Sequence, residues 1–455
     1  MITRVILFLV AVMFTVPAAY AQSEGYTSET DAEVLRLIRK DKLDLILPGA
    51  MRDNNVDMWI HVTRGQGINA NSSSGDKMTP QFGNTSGYLI FTDLGDRIER
   101  AMFGMSSGAV DKIDVRGSRE VNMALGGYNY NNLDKLQTFT IPEVYDEITQ
   151  FVAERDPKTI AVNYSEWLPL ADGISYTSYV KLQKIIGPKY SERMVSAENV
   201  ILDFVLRRTT REIGAQAHVL AMSRQESLRK LRSIVPGKTS RGEAGVNVLY
   251  SAVSDRSVTR SGNYTLQRGD FFYDNHWYDY LGYDVDTKNY GYILRGGETQ
   301  VPDFIQDAFE TAIAGQWIMR PHMRVGMTAG ESMKAMIKAM EDAGYVYTPF
   351  TNNGARDYQN VQRVLATTDK PSFSIDNHAL GNNGAEGPSM GPFRTDSYHL
   401  KIQENHFFAF EYMINVNIDE RPGFPLAFNI SNLQIITSRG VENLQPPNEE
   451  IIVIH

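Results

Sequence analysis

The residues able to do chemistry concentrate in the C-terminal half of the chain. Gly269-Asp270-Phe271-Phe272-Tyr273-Asp274-Asn275-His276-Trp277-Tyr278-Asp279-Tyr280-Leu281-Gly282-Tyr283-Asp284-Val285-Asp286 reads as a β-hairpin. With the turn centred between Tyr280 and Leu281, Asn275 lies directly opposite Asp286. Opposed side chains share a face, with Cβ atoms about 5 Å apart. Asp274 then points to the other face, unless a bulge brings it beside Asp286 instead. Further on, His378 and Glu386 lie in a polar, Asn/Gly-rich stretch. Glu411 stands amid Phe407, Phe408, Phe410 and Tyr412. A carboxylate buried in such a strand needs a partner. Carboxylates and an imidazole gathered in a cleft mark a candidate functional site.

These segments resemble, in order and spacing, the pita-bread metallopeptidases: Xaa-Pro aminopeptidases, prolidases and creatinases. The Gly269-Asp270 opening and Gly282-Tyr283-x-x-Asp286 are similar to the family's metal-binding hairpin, in which two Asp residues eleven positions apart hold a dinuclear metal centre. Asp286 falls on the second position, and Asn275 on the first with Asp274 beside it. Asn377-His378-Ala379-Leu380-Gly381 through Ala385-Glu386-Gly387-Pro388 resembles the stretch that supplies a ligand His and, eight positions on, a Glu. Phe408-Ala409-Phe410-Glu411 resembles the strand with a ligand Glu, and Phe428 to Leu444 the closing strand, where the bridging Glu falls on Ser431. The resemblance implies His378 and Glu386 as catalytic residues, and a metal shell drawn from Asp286, His378, Glu411, Asp274, Asn275 and Ser431.

Charge counts against the full centre. Four carboxylates would balance two divalent ions, whereas Asn275 and Ser431 are neutral. Asp286 and Glu411 balance one ion, so the expectation is at most one weakly held divalent ion (Mn, Co or Zn), or none. The His that precedes the family's Glu is Ala385 here, and an upstream His is absent from Ser257-Val258-Thr259-Arg260. The resemblance implies metal-dependent hydrolysis of peptides with proline at the second position, with activity reduced by these losses. Two other readings stand beside it: a non-catalytic relative binding a peptide or small molecule in the cleft, and a metal-free creatinase-like hydrolase.

Elements must position these groups. Ala32–Leu47 carries a helical apolar pattern; Asn55–Val62 reads as a helix end followed by a short buried strand, Gly87–Thr92 and Thr159–Asn163 as strands, and Asn69–Thr85 as an exposed loop. Ser196–Ile234 reads as one long helix with a solvated basic face including Arg207, Arg208 and Arg211, closed by Val235-Pro236-Gly237. From Leu266 onward Tyr- and Phe-rich strands dominate, interrupted by an amphipathic helix over Ala329–Ala343. The expected fold is an α/β N-terminal domain (22–195) joined to an α+β pita-bread domain (196–455).

The first residues read as a secretory signal peptide (1–21): Arg4, an apolar run from Val5 to Val16, and Ala19-Tyr20-Ala21 before Gln22. The run is too short to span a bilayer, which takes about 20 apolar residues. Export to the periplasm or beyond, with cleavage after Ala21, is the expectation. Removing the leader takes away one Arg and no acid, so the formal charge moves from −9 to −10. An acidic chain argues against nucleic acid as partner, and no membrane role is expected after cleavage. The chain has no Cys, which removes disulfides and thiol catalysis, so its 455 residues must rely on a large core. The resemblance implies a homodimer.

Overall fold

The computed structural model describes residues 28–64, 85–106, 114–115, 141–254, 256–380 and 385–455, with Met78 and Phe82. The leader, most of the Asn/Ser-rich segment and 381–384 lie outside these residues.

Six strands form the first sheet: β1 (Met58–Arg64), β2 (Thr85–Asp93), β3 (Ile98–Ser106), β4 (Asp114–Val115), β5 (Ile160–Val162) and β6 (Met194–Ser196), in the order β4-β3-β2-β1-β5-β6. It is mixed: β1, β2 and β3 pair antiparallel, while β5 and β6 add in parallel. Helices α1 (Ser28–Asp41) and α2 (Leu47–Asp53) flank a π-helical turn, Lys42–Ile46. Helices α3 (Ile141–Arg155) and α4 (Tyr176–Ile186) pack together beside the sheet. Met78 and Phe82 are fully buried, although Asn69–Thr85 reads as an exposed loop. Phe82 packs on Trp59, Phe91 and Phe204, and that aromatic contact outweighs the polar composition around it.

The long basic helix is two helices, α5 (Glu198–Leu206) and α6 (Thr210–Arg232). Thr209 breaks it: its side chain caps the Glu212 N–H, and Glu212 reaches back to the Thr209 N–H at 2.7 Å, a capping box. Arg208 is therefore not on a solvated face. It is buried, its guanidinium 3.1 Å from Glu212, with Lys42 3.6 Å from the same carboxylate. Burial pushes the Lys42 ammonium down to about 8, against the pull of Glu212. One carboxylate thus clamps two buried cations where α1, α6 and the C-terminal half meet.

The C-terminal half holds two sheets. One is β17-β9-β8-β7, from β7 (Val246–Tyr250), β8 (Phe271–Tyr280), β9 (Tyr283–Ile293) and β17 (Ile451–Ile454). The other runs β10-β11-β14-β12-β13, from β10 (Val346–Tyr347), β11 (Ser372–Ile375), β12 (Asn377–Leu380), β13 (Ala385–Met390) and β14 (Phe407–Val416); β15 (Leu426–Thr437) pairs with β14 and with β16 (Gly440–Asn443). The sheets meet where β15 lies against β9. Ser431 Oγ donates to the Asp286 carbonyl at 2.7 Å and the Tyr290 hydroxyl to the Asn429 carbonyl at 2.7 Å. The result is a half-barrel.

Helices line its outer side: α6 against β8 and β9, α7 (Asp303–Met319) against β14 and β15, α8 (Ala329–Asp342) against β13. A further helix, α9 (Gly354–Leu365), packs near β11. The Ala329–Ala343 expectation matches α8, whereas α7 and α9 lie in the region read as mainly strands. In α7, Ile305, Phe309, Ala312 and Met319 are buried, and fully burying a side chain such as Phe309 contributes roughly 1.5–3 kcal/mol. One apolar core runs from Trp59 through Phe204 and Leu206 to Phe408 and Tyr412, across both halves of the chain.

Candidate functional site

Two strands of different sheets bring the candidate residues together. On β14, Ala409, Glu411 and Met413 share the inner face, while Phe410 and Tyr412 turn outward; the Tyr412 hydroxyl donates to the Ala312 carbonyl of α7. His378 of β12 pairs with Ala409 and so lies on the inner face too. Asp286 of β9 reaches the same place from the other sheet. Ligand-type atoms of Asp286, His378 and Glu411 all lie within 4.8 Å of one another. Three of the expected site residues therefore converge.

The hairpin register differs from the expected one. Its loop is Leu281-Gly282, both with positive φ (57° and 81°), a turn that pairs Tyr280 with Tyr283. Trp277, not Asn275, stands opposite Asp286, and Asn275 stands opposite Lys288. The turn centre thus lies one position later than expected, with Leu281 at a positive φ that is uncommon for Leu.

Asp274 is not beside Asp286. It lies on the outer face, buried against α6, where it accepts from Ser227 and from the Asn289 N–H at 2.9 Å. No bulge brings it inward, and its oxygens serve a structural network. Asn275 is exposed. The Ser431 hydroxyl donates to the Asp286 carbonyl and so joins the two sheets. Glu386 is buried and stands outside the three-residue cluster; it lines a cavity of about 250 Å³ with Trp167, Ser389 and Arg394.

Lys288 is the residue the sequence reading missed. It sits two positions after Asp286 on β9, so the period-two rule puts both side chains on one face. Its ammonium donates to Asp286 Oδ1 at 3.0 Å and to Glu411 Oε1 at 3.0 Å, with only 3% of the side chain exposed. Burial opposes its charge, but Glu411 and Asp286 outweigh burial and hold the ammonium above the ordinary lysine range. Burial likewise opposes ionisation of Glu411, yet His378 and Lys288 hold that carboxyl down to about 2. His378 Nε2 stands 3.7 Å from Glu411 Oε2, an ion-pair distance beyond a good hydrogen bond.

A dinuclear metal centre does not fit these residues. The ammonium already takes the bridging position between the two carboxylates. A divalent ion 4 Å from it would meet a repulsion of roughly 8 kcal/mol at an effective dielectric of about 20, cancelling what one carboxylate at that distance offers.

No family model and no curated protein matches the sequence. Solved structures do. An X-Pro aminopeptidase from Thermotoga maritima superposes with a TM-score of 0.54 at 14% identity, covering 89% of this chain and 100% of that one. An Xaa-Pro dipeptidase from Bacillus anthracis gives 0.52 at 14% identity, covering 94% and 100%. A dipeptidase from Pyrococcus horikoshii gives 0.52 at 12% identity, covering 91% and 100%. This is the pita-bread fold. At such identities the pita-bread likeness concerns the fold, and the chemistry has to be read from the residues themselves. Within that fold, the ammonium of Lys288 stands between Asp286 and Glu411, and His378 approaches Glu411 from the neighbouring strand.

Proposed function

We propose that this protein is a metal-independent, non-hydrolytic pita-bread protein that binds a short peptide or similar small molecule in its half-barrel cleft. One observation carries the reading: Lys288 Nζ, 3.0 Å from both Asp286 and Glu411, stands between the two carboxylates and neutralises one of the two charges that a divalent ion would balance. A lysine cannot polarise a bridging water as a divalent pair does, so the reading assigns the cleft to binding. On the leader pattern of residues 1–21, the mature chain works outside the cytoplasm. The test is incubation of the mature protein with Ala-Pro, with and without manganese or cobalt. No hydrolysis above the metal-only blank is expected, and turnover that scales with enzyme would sink the reading.

A second reading rests on the convergence of Asp286, His378 and Glu411 within 4.8 Å. It is a peptidase of reduced activity that holds one divalent ion after Lys288 swings away. It requires metal-dependent turnover that is lost in His378→Ala.

A further inference from the structure

The basic run of the long helical stretch divides in two. Arg207 is held by Asp53 and Asp203, Arg208 by Glu212 and Arg211 by Asp41. At the far end of α6, Arg229, Lys230 and Arg232 are exposed, and Glu226 pairs with Arg229. From Arg229 to Arg268 the chain carries eight Arg or Lys and two acids, a formal charge of +6. The whole chain carries −9, so the remainder carries −15. This stretch folds back on itself. The Gly237 N–H donates to the Leu266 carbonyl at 2.8 Å, the Leu266 N–H to the Thr239 carbonyl at 2.9 Å, and the Gly242 N–H to the Gly262 carbonyl at 2.9 Å. Leu231, Ile234, Tyr264 and Leu266 belong to one small core beneath it. Lys238, Arg260 and Arg268, all exposed, thereby join the end of α6 on one corner of the molecule. Among the described residues no acid forms an ion pair with Lys230, Arg232, Lys238, Arg260 or Arg268. Three valines of the same stretch, Val235, Val253 and Val258, are exposed as well.

We propose that this corner docks the protein peripherally on an anionic bilayer surface, with its cations against lipid phosphates and its valines at the headgroup–acyl boundary. Each Lys or Arg held near an anionic bilayer raises affinity about fivefold. Cations alone suit any polyanion. Exposed aliphatic side chains gain nothing on a hydrophilic polymer but gain by entering the boundary layer. Binding of single-stranded nucleic acid draws on exposed aromatic rings for stacking, and the exposed apolar residues here are valines. The acidic remainder does not cancel the attraction. The field of the surface fades within a Debye length, about 8 Å at physiological salt, so the corner in contact feels it and the distant acids do not. Charge therefore also fixes the orientation, corner toward the lipid and acidic body away. Among the described residues no helix is long and apolar enough to cross a membrane, which fits a peripheral contact. Nothing in this docking depends on what the cleft binds.

Co-sedimentation of the mature wild-type protein with vesicles tests this, using phosphatidylcholine alone and phosphatidylcholine mixed with phosphatidylglycerol. Binding to the mixed vesicles is expected, at least about tenfold tighter than to phosphatidylcholine and weakened steeply by salt. The triple variant Arg232→Glu/Lys238→Glu/Arg260→Glu, at exposed positions, should lose about a hundredfold or more. Lys158→Glu/Lys184→Glu/Lys334→Glu changes the net charge by the same amount at exposed positions outside the corner, and should bind within about threefold of wild type. The comparison of the two vesicle types with wild-type protein decides the matter by itself if a variant fails to fold. Equal binding to both vesicle types, equal losses in the two triple variants, no vesicle binding at low salt, or capture by soluble polyglutamate without capture by vesicles overturns the assignment.

Discussion

Lys288 of one sheet and Glu411 of another meet at 3.0 Å in the cleft of the half-barrel, and Asp286 closes on the same ammonium from 3.0 Å. This contact joins two sheets by charge, as Ser431 joins them by a hydrogen bond to the Asp286 carbonyl. Its consequences are measurable.

Removing the ammonium should destabilise the fold. In Lys288→Met, Glu411 stays largely buried and loses the cation beside it. Breaking a buried pair from one side costs roughly 3–5 kcal/mol. Denaturant unfolding should show that loss, and the double variant Lys288→Met/Glu411→Gln should recover much of it. Equal stability of the single variant and wild type would mean the pair contributes little.

The pair also sets a pH dependence. Glu411 titrates near 4.5 when unfolded and about 2 when folded, so its stabilisation is present above pH 4.5 and lost as pH falls toward 2. Lys288 is shifted upward, so its share is full below its ordinary 10.5 and fades as pH rises beyond. The stability gap between wild type and Glu411→Gln should be flat from pH 5 to neutrality and shrink on acidification from pH 5 to 2. A gap that stays constant down to pH 2 would contradict the assignment.

Gly387 makes a close approach that no side chain allows. Its φ is +103°, and a Cβ there would run into Leu206 Cδ1 of α5. Gly387→Ala should cost about 2–4 kcal/mol through backbone strain and overpacking. Adding Leu206→Ala should make the combined loss smaller than the sum of the two, because the clash disappears while the strain remains. Strict additivity of the two losses in chemical denaturation would deny the contact.

The Glu212 clamp makes a further point. Glu212→Gln removes the buried carboxylate that Lys42 and Arg208 share. A loss of roughly 3–5 kcal/mol is expected, visible as a lowered thermal midpoint at neutral pH. A change under about 0.5 kcal/mol, typical of surface positions, would place the pair in solvent.

Much of the architecture was legible in residue patterns. The strands around Trp59, Leu89 and Ala161 and the helix over Met333 and Met336 follow from periodicity and flanking turn residues. Four ordered segments also pointed to the pita-bread fold. The failures have physical causes. The break at Thr209 is written as Thr-x-x-Glu, but the apolar spacing on both sides hid it. Phe82 is buried by aromatic partners distant in sequence. At the site, the resemblance to the pita-bread metallopeptidases picked out Asp286, His378 and Glu411, whose side chains the fold brings within 4.8 Å. Asn275 faces Lys288 and not Asp286 because the turn centres one residue later, between Leu281 and Gly282, and that single step moves every pairing along the hairpin by two residues. Lys288 was overlooked although its distance of two residues from Asp286 put it on the same strand face. A lysine in a strand reads as solvated until its two carboxylate partners are known.

The most direct measurement is the metal content of the mature protein after dialysis against manganese, cobalt and zinc, read by elemental mass spectrometry beside Lys288→Met. The wild type should hold far less than one ion per chain, while the variant, with Asp286, His378 and Glu411 freed of the ammonium, should take up close to one. A wild type that retains one or two ions per chain would contradict the assignment of Lys288 as the cation of this site.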